Sequence, residues 1–122
     1  MADERYRIAA ASGDGIVVNR HFGKAEAFYI YQVDDREQIH FLEKRSVTPV
    51  CAGGSHDDEK LKNVMGKLKD CKYLLVSRIG DGAAGMAKSF GIESYEIPGM
   101  IEKSIEQLIQ YTKIKKLLGQ EG

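Results

Sequence analysis

The hydrophobic pattern of the sequence changes after Pro49, and this change constrains the fold more than any other feature. Before Pro49, three segments carry the aromatic, β-branched and alternating apolar residues that are typical of strands, namely residues 5–12, 26–33 and 38–47. Short connections link them, with Gly13-Asp14-Gly15 as a turn signal after the first segment. We therefore expect these three strands to pair as an antiparallel meander.

Beyond Pro49, helical and strand-like patterns alternate. Apolar residues at a spacing of three to four predict helices over residues 56–69, 81–90 and 100–118. Short apolar runs between them predict strands over residues 73–76 and 92–97. The predicted order is β-β-β-α-β-α-β-α, which favours an α/β fold with a mixed five-stranded sheet and helices on both faces. This is the layout of ribonuclease-H-like folds.

The overall composition narrows the class of protein. The 122 residues fit one domain spanning residues 1–122, and 43% of them are hydrophobic, which is enough for a core. Lysine plus arginine equals aspartate plus glutamate, 18 against 18, so we expect no general electrostatic attraction to nucleic acid. The sequence has no apolar stretch of about 18 residues and no signal-peptide pattern, so we expect a cytoplasmic protein without a membrane segment.

A histidine lies in the loop between the first two predicted strands. His21 is preceded by Arg20 and followed by Phe22 and Gly23. A neutral imidazole nitrogen is a common metal ligand, and Arg20 could stabilise an anionic group beside it. Gly23 would let the backbone approach a bulky ligand closely. The alternative, which these residues alone favour, is a solvent-exposed histidine beside a phenylalanine that packs into the core.

A cysteine and a histidine lie close together before the first predicted helix. Cys51 and His56 are separated by a segment with two glycines, so both side chains could reach one transition metal or cluster iron. The start of a helix also favours thiolates and anions. Zinc sites normally use four ligands, however, and the remaining cysteine, Cys71, is typical of a small buried hydrophobe. The alternative is that Ser55 or Asp57 simply caps the helix.

The third candidate is a glycine-rich turn after the fourth predicted strand. Gly80, Gly82 and Gly85 form a G-x-G-x-x-G pattern that opens a helix, as in dinucleotide-binding sites. Glu96 lies near the position of a ribose-binding acid. The strand is not the first of a Rossmann unit and no second mononucleotide-binding half follows, so an anion-binding nest or a tight turn is favoured. Nucleotide or phosphate binding by residues 80–85 remains the alternative function.

The sequence offers little that is typical of an enzyme. Asp14 and Asp81 could be the acids of a metal-dependent hydrolase, but no histidine–serine or carboxylate set occurs at a recognised spacing. A ribonuclease-H-like nuclease needs several acids on its strands to hold two metals, and residues 5–12 contain none. We therefore expect a binding protein and not an enzyme.

Five motifs follow one another in an order that is typical of one family. They are Arg20-His21-Phe22-Gly23-Lys24-Ala25, Phe28-Tyr29-Ile30-Tyr31, Cys51-x4-His56, Ile79-Gly80-Asp81-Gly82 and Gly91-Ile92. The ordered set resembles the dinitrogenase iron–molybdenum cofactor biosynthesis family, which includes the NifX and NafY core domains and the C-terminal domain of NifB. The resemblance covers residues 7–117, nearly the whole sequence.

The resemblance implies a ribonuclease-H-like domain that binds iron–molybdenum cofactor, or its iron–sulfur precursor, and carries it during metallocluster assembly. The implied metal ligands are His21, Cys51 and His56. The implied supporting residues of the cofactor site are Arg20, Gly80 and Gly82. Cofactor-assembly proteins are the implied partners, with dinitrogenase as a further candidate. The radical-enzyme domain of NifB has no counterpart in this sequence, so we expect carriage of the cluster and not its synthesis.

Overall fold

The computed structural model describes residues 5–50 and 58–119. In these residues the strands are β1 (Tyr6–Ala11), β2 (Val17–Val18), β3 (Ala27–Val33), β4 (Ile39–Ser46), β5 (Tyr73–Val76), β6 (Glu93–Glu96) and β7 (Gly99–Met100). The helices are α1 (Asp58–Lys67), α2 (Asp81–Ser89) and α3 (Ile101–Leu117). None of the helices in these two ranges is long and apolar enough to span a bilayer.

Five of the strands form one mixed sheet in the order β4-β3-β1-β5-β6. Strand β3 pairs antiparallel with both β1 and β4, which confirms the predicted meander. Strand β5 pairs parallel with both β1 and β6. Parallel neighbours need a crossover connection, and α2 supplies it between β5 and β6. The predicted α/β class with a five-stranded mixed sheet and three helices is confirmed.

The central strand β1 is buried on both faces because helices cover both sides of the sheet. Ile8 and Ala10 pack in the same apolar cluster as one side of α3. Ala9 and Ala11, which point the other way along the strand, pack in the cluster formed with α1 and α2. All four side chains are fully buried. The four residues of β5 are also buried, as their continuous apolar run predicts.

The structure corrects the predicted element order, because the sequence pattern missed two short strands. Strands β2 and β7 form a separate two-stranded antiparallel ribbon, in which Val17 pairs with Met100 and Val18 with Gly99. The Ile101 N–H extends the ribbon by donating to the Ile16 carbonyl at 2.8 Å. Two-residue strands are too short for an alternating pattern, and these two are far apart in the sequence. The ribbon attaches the start of α3 to the loop after β1.

Candidate functional site

The loop that carries His21 lies where the parallel strands end, and we call this side of the sheet the carboxyl edge. From the end of β1 the chain crosses to β3 on one side, whereas from the end of β5 it crosses through α2 to β6 on the other side. The carboxyl ends of β1 and β5 therefore form a topological switch point. Open α/β sheets bind their ligands at such a crevice.

His21 is held at this switch point by backbone hydrogen bonds. Beyond the end of β1, His21 forms a parallel bridge with Arg78, just after β5. The Phe22 N–H donates to the Arg78 carbonyl at 2.8 Å, and the Ser77 N–H donates to the Arg20 carbonyl at 3.0 Å. Phe22 itself is only 3% exposed and packs against Phe28. The His21 side chain is thus exposed while its backbone is held in place by hydrogen bonds, which is what a metal ligand at an open site requires.

The second predicted pair of ligands, a cysteine and a histidine, precedes α1 in the sequence. Cys51 and His56 lie outside the described residues, so their role stays a prediction. Within residues 5–50 and 58–119, no group of three or more histidine, cysteine, aspartate or glutamate side chains could hold a metal ion. Of the three predicted metal ligands, His21 is therefore the one that lies in the described part of the chain.

Cys71 is a core residue, as its position in the sequence predicts. Its side chain is 2% exposed and packs between the sheet and α1. Burial, together with the negative charge of Asp70, raises the pKa of the Cys71 thiol to about 12. Cys71 lies just before the start of β5, whereas Arg78, which is bridged to His21, lies just after the end of β5. A protonated, buried thiol at the other end of the strand is no ligand for a cluster at His21.

The Gly80–Gly85 turn opens α2 at the carboxyl edge, but its glycines are not packed as in a dinucleotide site. Among the residues that the structure describes, no heavy atom lies within 4 Å of a Cβ atom added to Gly80, Gly82 or Gly85. In the dinucleotide fingerprint, the third glycine allows close packing of the helix on the strand, and the described part of the chain makes no such contact at Gly85. Gly80 is the N-cap residue of α2 and provides no side-chain cap. Its open backbone is accessible from solvent.

Two acids that a catalytic or nucleotide-binding site would use accept hydrogen bonds from backbone N–H groups of the protein itself. The Asp14 carboxylate accepts the N–H groups of Ile16 and Val17 at 2.9 and 3.1 Å. These bonds favour the ionised carboxylate and lower the pKa of Asp14 below its usual range. Glu96 accepts the Ile79 N–H at 3.0 Å and so supports the strand-to-helix turn. Both acids hold loops in place.

Arg20 packs against the loop after β1 and lines a cleft beside β4. The Arg20 guanidinium lies against Gly13, where an added Cβ would be 2.3 Å from Nη2. It lines a cleft that also includes Lys44 and Ser46 from β4, and His21 is not among the lining residues. Sequence reasoning missed Lys44 and Ser46, because β4 reaches this edge only through its pairing with β3.

Comparison with known proteins identifies the family. The family model described as "Dinitrogenase iron-molybdenum cofactor" matches residues 4–111. The chain belongs to this family. The chain is 31% identical over 116 residues to the FeMo cofactor biosynthesis protein NifB of Chlorobaculum tepidum, covering 95% of the chain and 27% of that relative. It is 35% identical over 104 residues to NifB of Frankia alni, covering 83% of the chain and 20% of that relative.

The chain thus spans about a quarter or less of the length of these curated relatives. Among solved structures, it is similar to the NMR structure of a Thermotoga protein that is provisionally named NifB. That similarity has a TM-score of 0.54 at 22% identity and covers 86% of this chain and 88% of the other. It supports the fold alone.

Proposed function

We propose that this chain binds an iron–molybdenum or iron–sulfur cluster at His21 and carries it during nitrogenase cofactor assembly. The observation that carries the proposal is the exposed His21, whose backbone is bridged to Arg78 at the switch point of the sheet. The family to which the chain belongs is named for the iron–molybdenum cofactor of dinitrogenase. The relatives are named as cofactor biosynthesis proteins. The ribonuclease-H-like assignment of the fold belongs to the same proposal.

The surroundings of His21 suit an anionic cluster. A neutral imidazole nitrogen is a good ligand for iron, and the ring is accessible to a large cargo. Gly80, the N-cap residue of α2, follows Arg78 by two positions. The free N–H groups and positive dipole end of a helix favour negative charge nearby. Asp81 in the first turn offsets part of this attraction.

We propose a carrier and not an enzyme. A cargo that must be released is best held by few protein ligands at an open site, and His21 provides such a ligand at an exposed edge. Asp14, one acid of a conceivable hydrolase, is bound by N–H groups of its own loop. Cofactor-assembly proteins are the proposed donors and acceptors, and dinitrogenase is a further proposed acceptor. We place this exchange in the cytoplasm.

The test compares two histidine variants under oxygen-free conditions. Wild type, His21→Ala and His40→Ala are each incubated with isolated iron–molybdenum cofactor or an iron–sulfur precursor and then desalted. His40 is a matched control, because it is also exposed but bonds Asp34 through Nε2 at 2.9 Å on β4. Bound iron and molybdenum are measured by elemental analysis and the cluster by electron paramagnetic resonance. We expect His21→Ala to lose affinity about 10-fold or more, while His40→Ala matches wild type.

Equal uptake by all three proteins would rule out His21 as the ligand. Cys51→Ala and His56→Ala, measured beside them, test whether the second predicted pair contributes. If either of these variants abolishes uptake while His21→Ala does not, the cluster site belongs to the Cys51/His56 segment.

A further inference from the structure

A cleft at the carboxyl edge is lined by Arg20 and Lys44 but not by His21 among its described residues, and we call it the Arg20–Lys44 cleft. It has a volume of about 220 Å³ and lies between the loop after β1 and the paired ends of β3 and β4. Its polar lining includes Arg20, Glu26, Tyr29, Lys44 and Ser46. This volume is below that of a typical drug-sized pocket, so only a small molecule would fit.

The cleft carries an excess of positive charge that the described chain does not neutralise. Among the described residues, neither Arg20 nor Lys44 has an ion-pair partner. Glu26 is the one acid among the described lining residues, so two cations share one carboxylate there. The Lys44 ammonium lies 5.8 Å from the centroid of the Tyr29 ring, which positions it through a cation–π contact.

The position of the Arg20 side chain in the cleft depends on the backbone at Gly13 and at Arg20 itself. Gly13 has no Cβ, and this is what allows the guanidinium to lie against it. The Gly13 N–H is held by the Asn19 Oδ1 at 3.0 Å. On the other side, the Arg20 carbonyl accepts the Ser77 N–H. A guanidinium with a fixed backbone on both sides loses less freedom when it binds a ligand.

We propose that the Arg20–Lys44 cleft binds a small organic acid with two or more carboxylates. The planar guanidinium of Arg20 matches one carboxylate with two parallel hydrogen bonds. Lys44 supplies a point charge for a second carboxylate from the β4 side of the cleft. Ser46 and Tyr29 add hydroxyl groups that have no hydrogen-bond partner within residues 5–50 and 58–119. This site goes beyond the proposed cluster carriage and does not depend on it.

The test is calorimetric titration of the cluster-free protein with citrate, in a phosphate-free buffer of low ionic strength. We expect saturable binding, and Arg20→Gln or Lys44→Gln should each weaken it about 10-fold or more, because each removes a charge-assisted contact. Lys88→Gln, which removes an exposed lysine at the end of α2, is the matched control and should bind as wild type does. His21→Ala should also bind citrate normally, which separates this site from the cluster site.

Two further titrations test the class of ligand. Inorganic phosphate and acetate each provide an oxyanion without a second carboxylate, and both should bind at least about 10-fold more weakly than citrate. Phosphate or acetate binding as tightly as citrate would overturn the assignment, as would no saturable heat with citrate. Thermal unfolding checks that Arg20→Gln is folded. If it is not, Lys44→Gln decides alone, because Lys44 is exposed on an edge strand.

Discussion

At the scale of single residues, Gly15 is the position in the His21 loop where the backbone itself requires glycine. Its φ of +77° is in the left-handed region, and an added Cβ would lie 2.7 Å from the Tyr29 ring. Gly15→Ala therefore adds backbone strain and a steric contact, and we expect it to lower the free energy of unfolding by about 1–3 kcal/mol. Urea denaturation followed by circular dichroism measures the change.

Gly66 is the matched control for this prediction. It lies in α1, where an added Cβ meets no atom of residues 5–50 or 58–119 within 4 Å. Gly66→Ala removes a helix-disfavouring residue, so we expect it to raise the free energy of unfolding by about 0.5–1 kcal/mol. If both variants changed stability in the same direction and by the same amount, the left-handed conformation of Gly15 would not be the cause.

The sequence allowed the residue type at the site to be predicted, but not the direction of its side chains. His21 in a loop and Phe22 in the core follow from residue chemistry. Phe22 is buried, as the interpretation of His21 as a solvent-exposed histidine also expects. No pattern in the sequence predicts that Arg20 lies against Gly13 and lines one cleft with Lys44. This arrangement depends on the turn of the loop after β1 and on the pairing of β3 with β4, which are both tertiary features.

At the scale of elements, one carboxylate links β1, β4 and the segment after α1. Asp70 accepts two hydrogen bonds from the Arg45 guanidinium, at 2.7 and 2.9 Å, and one from Arg7 at 2.7 Å. The bonds from Arg45, and to a lesser degree that from Arg7, hold the pKa of Asp70 well below its usual range, although partial burial opposes them. The carboxylate is therefore ionised in the folded protein even in acid.

This network predicts a stability difference that depends on pH. Asp70→Asn should lower the free energy of unfolding by about 1 kcal/mol at pH 7, a modest value because the Asp70 side chain is 37% exposed and screened by solvent. Below about pH 4 the unfolded aspartate takes up a proton while the folded one does not. The difference in free energy of unfolding between wild type and Asp70→Asn then shrinks progressively as the pH falls toward the pKa of Asp70 in the folded protein.

Urea denaturation of both proteins between pH 7 and pH 2 measures this contrast. Asp35→Asn serves as control, because Asp35 lies exposed in the turn between β3 and β4 and should change stability by less than about 0.5 kcal/mol. A difference between wild type and Asp70→Asn that stayed constant down to pH 2 would contradict a carboxylate with a lowered pKa.

The strands of the main sheet and the helices could be predicted because each has a sequence pattern of its own. The alternation in β1, the continuous apolar run of β5 and the helical spacing in α3 all depend on neighbours in sequence. Helix α3 buries Ile101, Ile105, Leu108 and Ile109 on one side, as its pattern predicts. The β2–β7 ribbon has no such pattern, since its pairing depends on where α3 packs.

At the scale of the whole molecule, the strand order predicts how resistance to local opening is distributed. Strand β1 has bonded neighbours on both sides and four fully buried residues, whereas β4 and β6 are the edges of the sheet. Opening β1 would disrupt both apolar clusters at once, because its side chains alternate between them. We expect the amides of β1 to exchange with solvent at least about 10-fold more slowly than those of β4.

Hydrogen–deuterium exchange followed by NMR tests this order, with β5 as an internal control that should be nearly as slow as β1 because it also has two neighbours. The outward N–H groups of β4 have no strand beside them in the described chain, so they should exchange fastest of all. Protection of β4 equal to that of β1 would contradict the single-chain sheet. Protection that appeared only at high protein concentration would instead show that a second chain pairs with the β4 edge, since pairing between copies depends on concentration whereas folding of one chain does not.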